Sequence, residues 1–114
     1  MSQHETAYRE ISDTIQLSDL TKHFVTLVEA IEAKQLPITR LGAGIIAALL
    51  LDGAHDSRSF SRLFEIEHAL VLRALAYLAA EDGFLTITRR DERTQRSFYS
   101  LSEKGEKLKA QLIT

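Results

Sequence analysis

Seven arginines fall between Arg58 and Arg96, and no lysine lies among them. A guanidinium is a planar, permanently charged fork of donors. It matches two oxygens of a phosphate, or two acceptors on one base edge, better than a lysine ammonium does. Four of the seven crowd into Arg89-Arg-Asp-Glu-Arg-Thr-Gln-Arg96. Side chains of this type and density suit binding to a polyanion. The competing reading is a solvated loop in which Asp91 and Glu92 pair locally with the arginines, an arrangement that contributes little energy.

Other chemistries find less support. The chain has no cysteine, which excludes disulfides, thiolate nucleophiles and cysteine-held metal and suits a reducing compartment. His4, His23, His55 and His68 show neither H-x-x-x-H nor H-E-x-x-H spacing, so no metal site is expected. There is no G-x-S-x-G nucleophile motif. Gly42-Ala43-Gly44 lacks the third glycine and the preceding strand of a phosphate loop. Neither an enzyme nor a cofactor is expected.

The 114 residues provide for one domain and one core, and 45% hydrophobic with 26% charged residues is ordinary for a globular chain. The net charge of −2 argues against an indiscriminate polyanion binder, but it is unevenly spread. Residues 1–56 carry four basic and eight acidic groups, while residues 57–114 carry ten basic and eight acidic. A local patch decides what a surface attracts more than the total does. The start, Met-Ser-Gln-His-Glu-Thr, resembles no signal peptide. The longest apolar run, Ile45 to Leu51, is far short of the roughly 20 residues of a membrane span. A cytoplasmic protein without a membrane partner is expected.

Periodicity locates the elements that must hold the arginines. Asp56 or Ser57 caps a short helix with Phe60, Leu63 and Phe64 inward, and Glu65 begins a turn. A second helix runs from Ile66 to about Asp82 and is closed by Gly83. At 100° per residue Val71, Ala74, Leu75 and Leu78 form its inward stripe. Ala69, Arg73, Ala76 and Ala80 lie opposite, flanked by Leu70 and Tyr77 on one side and Leu72 on the other. Phe84 to Thr88 alternates as a half-buried strand should, Arg89 to Arg96 forms a long charged loop without proline or glycine, and a second strand ends at Leu101. That strand has Phe98 and Ser100 on one face, Tyr99 and Leu101 on the other. Ser102 caps a last helix with Leu108, Leu112 and Ile113 as its apolar residues.

Upstream, Tyr8, Ile11 and Ile15 mark a short amphipathic helix over residues 5–16. Ser18 caps the next helix, whose stripe is Leu20, Phe24, Leu27, Val28 and Ile31 and which Pro37 ends. Thr39 caps a third helix that runs to about Asp52, with Gly53 as its stop. Ile46 and Leu50 widen its apolar face beyond Leu41, Ile45 and Leu49, so it is buried on most sides. Gly42 and Gly44 cost it roughly 1 kcal/mol each relative to alanine and are read as allowing close helix packing.

From Ile38 to Leu108, roughly two-thirds of the chain, this order resembles the MarR family of dimeric regulators. The resemblance is carried by Gly83-Phe84-Leu85, by Arg89-Arg90-Asp91-Glu92-Arg93 and by the junction Ser100-Leu101-Ser102-Glu103-Lys104-Gly105-Glu106-Lys107-Leu108. It implies a mainly α fold with a small β-hairpin wing, a winged helix-turn-helix. Residues 1–36 would be N-terminal dimerisation helices, and residues 37–114 the winged unit with a short C-terminal helix. Ile66–Asp82 would be the recognition helix with Arg73 reaching DNA, and Asp91 and Arg93 would brace the wing and touch the minor groove or backbone. The chain departs from the family in carrying Ala69, Leu70 and Leu72 where relatives often have serine or threonine, in Glu65 and Glu67 at the helix start, and in less C-terminal helix.

The expected function is a transcriptional regulator that binds duplex DNA as a homodimer. Ser57, Arg58 and Arg62 would meet phosphates. His68, Ala69 and Arg73 would face the major groove. Arg89, Arg90, Arg93 and Arg96 would grip the neighbouring minor groove or backbone. The competing expectation is a protein-interaction module, a co-regulator or anti-repressor that binds its partner through Leu70, Leu72 and Tyr77.

Overall fold

A computed structural model describes residues 22–81 and 83–113. The helix expected over 5–16, the Ser18 cap, Leu20 and Asp82 lie outside the described residues. The remainder is mainly helical with one antiparallel hairpin, in the order α1 (residues 22–33), α2 (Arg40–Leu50), α3 (Ser57–Phe64), α4 (His68–Leu78), β1 (Leu85–Asp91), β2 (Arg96–Leu101) and α5 (Glu103–Ile113).

α2 is the central element, and residues 42 to 49 are all buried. A segment apolar on every side can be satisfied only by neighbours on every side. α1 supplies Val28 and Ile31, α3 supplies Phe60, α4 supplies Val71, Leu75 and Leu78, and the hairpin and α5 supply Leu85, Tyr99 and Leu108 to the same buried cluster. Gly42 lets the segment before α2 fold close over it, because a Cβ there would lie 3.1 Å from Ile38 Cγ2 and 3.3 Å from Thr39 Oγ1. Phe64 stacks on Phe24 and tilts against Phe60, with ring centroids 4.7 and 4.6 Å apart. Leu63, expected inward, is 57% exposed; α3 is too short and too amphipathic to bury three adjacent faces.

Capping follows the sequence at helix starts and departs from it at the end of α2. Thr39 Oγ1 accepts from Gly42 N–H at 3.0 Å, and Asp56 Oδ1 accepts from Ser59 N–H at 2.9 Å. The helix ends, by contrast, put non-glycine residues in the left-handed region: Gln35 (φ 56°), Asp52 (φ 57°) and Glu65 (φ 54°). After α2 the expected stop was Gly53. Asp52 takes the left-handed position instead, and Gly53 N–H reaches back to the Ala48 carbonyl at 2.8 Å.

α4 is shorter than expected at both ends. Glu67 is not helical (φ −54°, ψ 133°) and makes no side-chain cap bond, so the helix starts at His68. At the other end Ala79 N–H still bonds Leu75 O at 2.8 Å, and then the chain turns. Gly83 closes that turn rather than the helix, its N–H bonding Ala80 O at 2.8 Å; a Cβ there would overlap the Leu78 carbonyl oxygen.

The hairpin loop is also shorter than expected. Arg89 and Arg90 belong to β1, and only residues 92–95 form the turn. Side chains replace the missing glycine: Asp91 Oδ1 accepts from Arg93 N–H (3.0 Å), Gln95 Nε2 donates to Glu92 O (2.8 Å), Thr94 Oγ1 accepts from Arg96 N–H (3.2 Å), and Gln95 itself is left-handed (φ 60°). Ile87 pairs with Tyr99 and Arg89 with Phe98, so Thr88 is the extra residue of a bulge. An isolated bridge between Asp56 and Phe98, with Tyr99 N–H on His55 O at 3.2 Å, ties the hairpin to the start of α3. Ser102 joins hairpin to α5: its hydroxyl accepts from Gly105 N–H (3.1 Å) and donates to Gly83 O (2.6 Å). Among the described residues no helix is long and apolar enough to cross a membrane.

Gly105 permits this joint, because a Cβ there would overlap the Phe84 carbonyl oxygen. Gly105→Ala is expected to destabilise the protein by about 1–3 kcal/mol, read as a lower urea midpoint with unchanged slope. A midpoint equal to that of the parent would show that α5 shifts without cost.

Candidate nucleic-acid interface

The first turn of α3 is where α3, α4 and the hairpin meet. Ser57, its first residue, is 0% exposed. Its Oγ accepts from Ser97 N–H of β2 at 2.9 Å and lies 2.7 Å from His68 Nε2, at the first residue of α4. Ser57 was expected to meet a phosphate. That expectation is corrected, because its hydroxyl is enclosed and binds two protein partners. His68, also expected at DNA, directs Nε2 at Ser57 and is half-buried. Ser59 beside them is also engaged within the protein: its N–H and its hydroxyl both donate to Asp56, at 2.9 and 2.7 Å.

Arg96 was expected in the basic grip and instead faces the protein. Its Nε lies 3.4 Å from Asp56 Oδ1, and the Asp56 side chain is only 10% exposed. Arg58 is half-buried, and its Nη2 donates to Thr94 O at 3.2 Å, so it steadies the hairpin turn from the start of α3.

The remaining arginines face outward. Arg89 lies over the Phe98 ring, 4.3 Å from guanidinium carbon to centroid, which fixes a long side chain against an aromatic face. Arg90 Nε donates weakly to Ser97 Oγ at 3.4 Å, and Arg93 is exposed in the turn. Arg62 is exposed on the last turn of α3. On α4, Arg73 is exposed with Ala69 and Ala76, as the projection implied. Leu70 (43%) and Tyr77 (62%) are exposed beside them, and Leu72 is half-buried. The structure therefore gathers Arg58, Arg96, Ser57, His68 and Asp56 into one cluster and leaves Arg73 outside its bonds.

The cluster's electrostatics are lopsided. Burial pushes the Asp56 carboxyl up, but the Ser59 N–H and hydroxyl and then the Arg96 guanidinium outweigh it, and the group sits below its ordinary 3.8. Burial, then Arg58 and Arg96, push His68 below its ordinary 6.5, with Asp56 offsetting a part. Burial and the nearby Asp56 raise Tyr99, whose hydroxyl has no partner among the described residues.

A serine hydroxyl beside an imidazole has the composition of a nucleophile and base, but no substrate reaches an oxygen that is fully enclosed and already accepts an amide hydrogen. Among the described residues no group of three histidine, aspartate or glutamate side chains could hold a metal ion. Sequence reasoning missed Ser97 altogether. Its parity was the available signal: it shares the inward face with Tyr99 and Leu101, and a serine on an inward face must find a partner. Comparison with family models, with curated proteins and with solved structures finds no match to this chain.

Both depressed groups lose stability on acidification. The folded state resists protonating His68, so its contribution is whole above pH 6.5 and declines as pH falls below that value. The Asp56 contribution is whole above pH 3.8 and declines as pH falls through its lowered value. Urea midpoints taken from pH 8 downward are expected to fall in these two windows. His68→Gln should flatten the upper one. Asp56→Asn, which keeps a capping oxygen, should flatten the lower one. A profile unchanged by both variants would mean that other groups govern the acid response.

Proposed function

We propose that α2, α3, α4 and the hairpin form a winged helix-turn-helix that binds duplex DNA, and that the protein is a MarR-like transcriptional regulator. α4 is the recognition helix in this reading and β1–β2 the wing. One observation carries it: Arg89, Arg90 and Arg93 stand exposed on a hairpin that side chains of α3 tie down. Arg58 holds its turn and Ser57 holds its second strand. Positioned arginines beside a helix with an exposed Arg73 are what groove-plus-backbone recognition requires. Arg62, Arg73, Arg89, Arg90 and Arg93 form the contact set, while Ser57, His68 and Arg96 become supports and Ala69 leaves room for a backbone approach. The protein acts as a cytoplasmic homodimer, to which the N-terminal helices contribute; Val25 of α1, 48% exposed, is an apolar residue open to such a contact.

A second reading is favoured by a separate observation. Leu70 and Tyr77 are exposed on the same helix, and Glu65 and Glu67 stand at its start. An apolar, acid-flanked helix face suits a protein partner better than a phosphate backbone. The protein would then be a co-regulator or anti-repressor.

A titration of the purified chain with random genomic fragments and with the DNA upstream of its own gene, at about 50 and about 200 mM salt, separates the two. Salt-sensitive binding that prefers the upstream fragment is expected. Arg89→Ala and Arg93→Ala should weaken binding to every sequence alike and lower the salt slope by about one unit each. Arg73→Ala should erode the preference by about 1–3 kcal/mol. An absence of binding at the lower salt removes the DNA reading and directs attention to Leu70 and Tyr77.

A further inference from the structure

Ser57 Oγ, His68 Nε2 and Ser97 N belong to three different elements, α3, α4 and β2, and meet at one buried oxygen. We propose that they form a directed relay, Ser97 N–H donating to Ser57 Oγ and Ser57 O–H donating to His68 Nε2, and that His68 is thereby a positioning residue for the wing. The direction follows from counting hydrogens. An amide N–H can only donate, so the 2.9 Å bond occupies a lone pair of Ser57. The Ser57 hydrogen then needs an acceptor, and at 0% exposure water does not supply one. Nε2, at 2.7 Å, is the acceptor in place. It can accept only when the ring is neutral and carries its hydrogen on Nδ1, the reverse of the tautomer that predominates for histidine in water.

The surrounding charges favour the same state. Arg58 from α3 and Arg96 from β2 disfavour a charge on the ring, Asp56 of the α3 cap offsets a part, and Glu67 is the residue before it. A proton on Nε2 would turn the acceptor into a donor and strand the Ser57 hydrogen inside the protein. The relay therefore opens on protonation: the Ser57–His68 bond between α3 and α4 is lost, and the oxygen that receives the Ser97 amide of β2 loses its fixed orientation. Arg90 bonds Ser97 from the other strand, so a wing arginine is attached to the same joint.

The claim about the wing rests on the DNA-binding reading above; the claim about the tautomer does not. The test begins with ¹⁵N imidazole spectra of the full chain near neutral pH. A protonated Nδ1 and a hydrogen-bonded, unprotonated Nε2 at His68 are expected, and a protonated Nε2 overturns the relay. Amide exchange at Ser97 follows. His68→Ala should lower its protection about tenfold, whereas His68→Gln, whose amide oxygen can accept from Ser57, should restore most of it. Equal protection in all three proteins overturns the positioning role. The half-exposed position of His68 makes its variants safer to fold than Ser57→Ala. DNA titration of His68→Ala, Arg90→Ala and the double variant completes the test. The Arg90 loss should shrink in the His68→Ala background; strictly additive losses overturn the coupling to the wing. If the parent chain binds no DNA, the functional reading fails while the spectra and exchange rates still decide the relay.

Discussion

A hydroxyl sealed from water is costly unless it is hydrogen-bonded, and the start of α3 is built around one that is. Ser57 sits there with no exposure at all, and it draws a strand amide and an imidazole onto one oxygen. One residue earlier, Asp56 caps the helix with Ser59 and holds Arg96 of β2. These two adjacent side chains attach the hairpin to the helical body. A two-stranded hairpin is marginal by itself in water, and β1 and β2 have only their inward residues, Leu85, Ile87, Tyr99 and Leu101, to bury. Polar bonds at the α3 start supply what the small apolar face does not, and they also give the hairpin a definite direction. A buried polar joint specifies geometry more sharply than apolar contact, because its donors and acceptors match in one arrangement only.

The same joint divides residues of identical chemistry into two jobs. Arg58 and Arg96 differ from Arg89 and Arg93 in nothing that composition reveals. Arg96 has a carboxylate 3.4 Å away and Arg58 a turn carbonyl at 3.2 Å, so their charges are turned toward the protein. Arg89 is braced on Phe98, and its charge stays at the surface. On the DNA-binding reading, losing a supporting arginine and losing a contacting one would both weaken binding, but through different physics: the first changes where the hairpin lies, the second changes how many phosphates it neutralises.

Elements with long, one-sided apolar periodicity were legible. The α4 stripe of Val71, Leu75 and Leu78, the burial of α2 and the shared face of Tyr99 and Leu101 follow from spacing alone, as do the Thr39, Asp56 and Ser102 caps. The end of α2 was not, because Asp52 takes the left-handed conformation ahead of the expected stop at Gly53, whereas α3 ends where its turn was read, at Glu65. The hairpin turn was not, because Asp91, Thr94 and Gln95 close it with side-chain bonds instead of a turn dipeptide. At the candidate site the outward arginines were legible as a cluster. The inward roles of Ser57, His68 and Arg96 depend on residues eleven and forty positions apart meeting, and no local pattern encodes such a meeting.

The exposed face of α4 sets the limit on what the protein can recognise. Arg73 is its one long basic side chain, placed among Ala69, Ala76, Leu70 and Tyr77. On the DNA-binding reading a single bidentate contact yields about 1–3 kcal/mol of discrimination, whereas a genome demands a far larger ratio of specific to non-specific affinity. The wing arginines add affinity without adding choice. Sequence selection must then come from a second copy reading a second half-site, from sequence-dependent groove width sensed at the wing, or from a partner bound to Leu70 and Tyr77. The first doubles the number of base readers at no change in the chain, and the two-fold arrangement it needs is the one that N-terminal helices packed against a second copy would impose. On that reading an apolar recognition face is compatible with a regulator only if a second copy, groove shape or a partner supplies the specificity that the helix itself lacks.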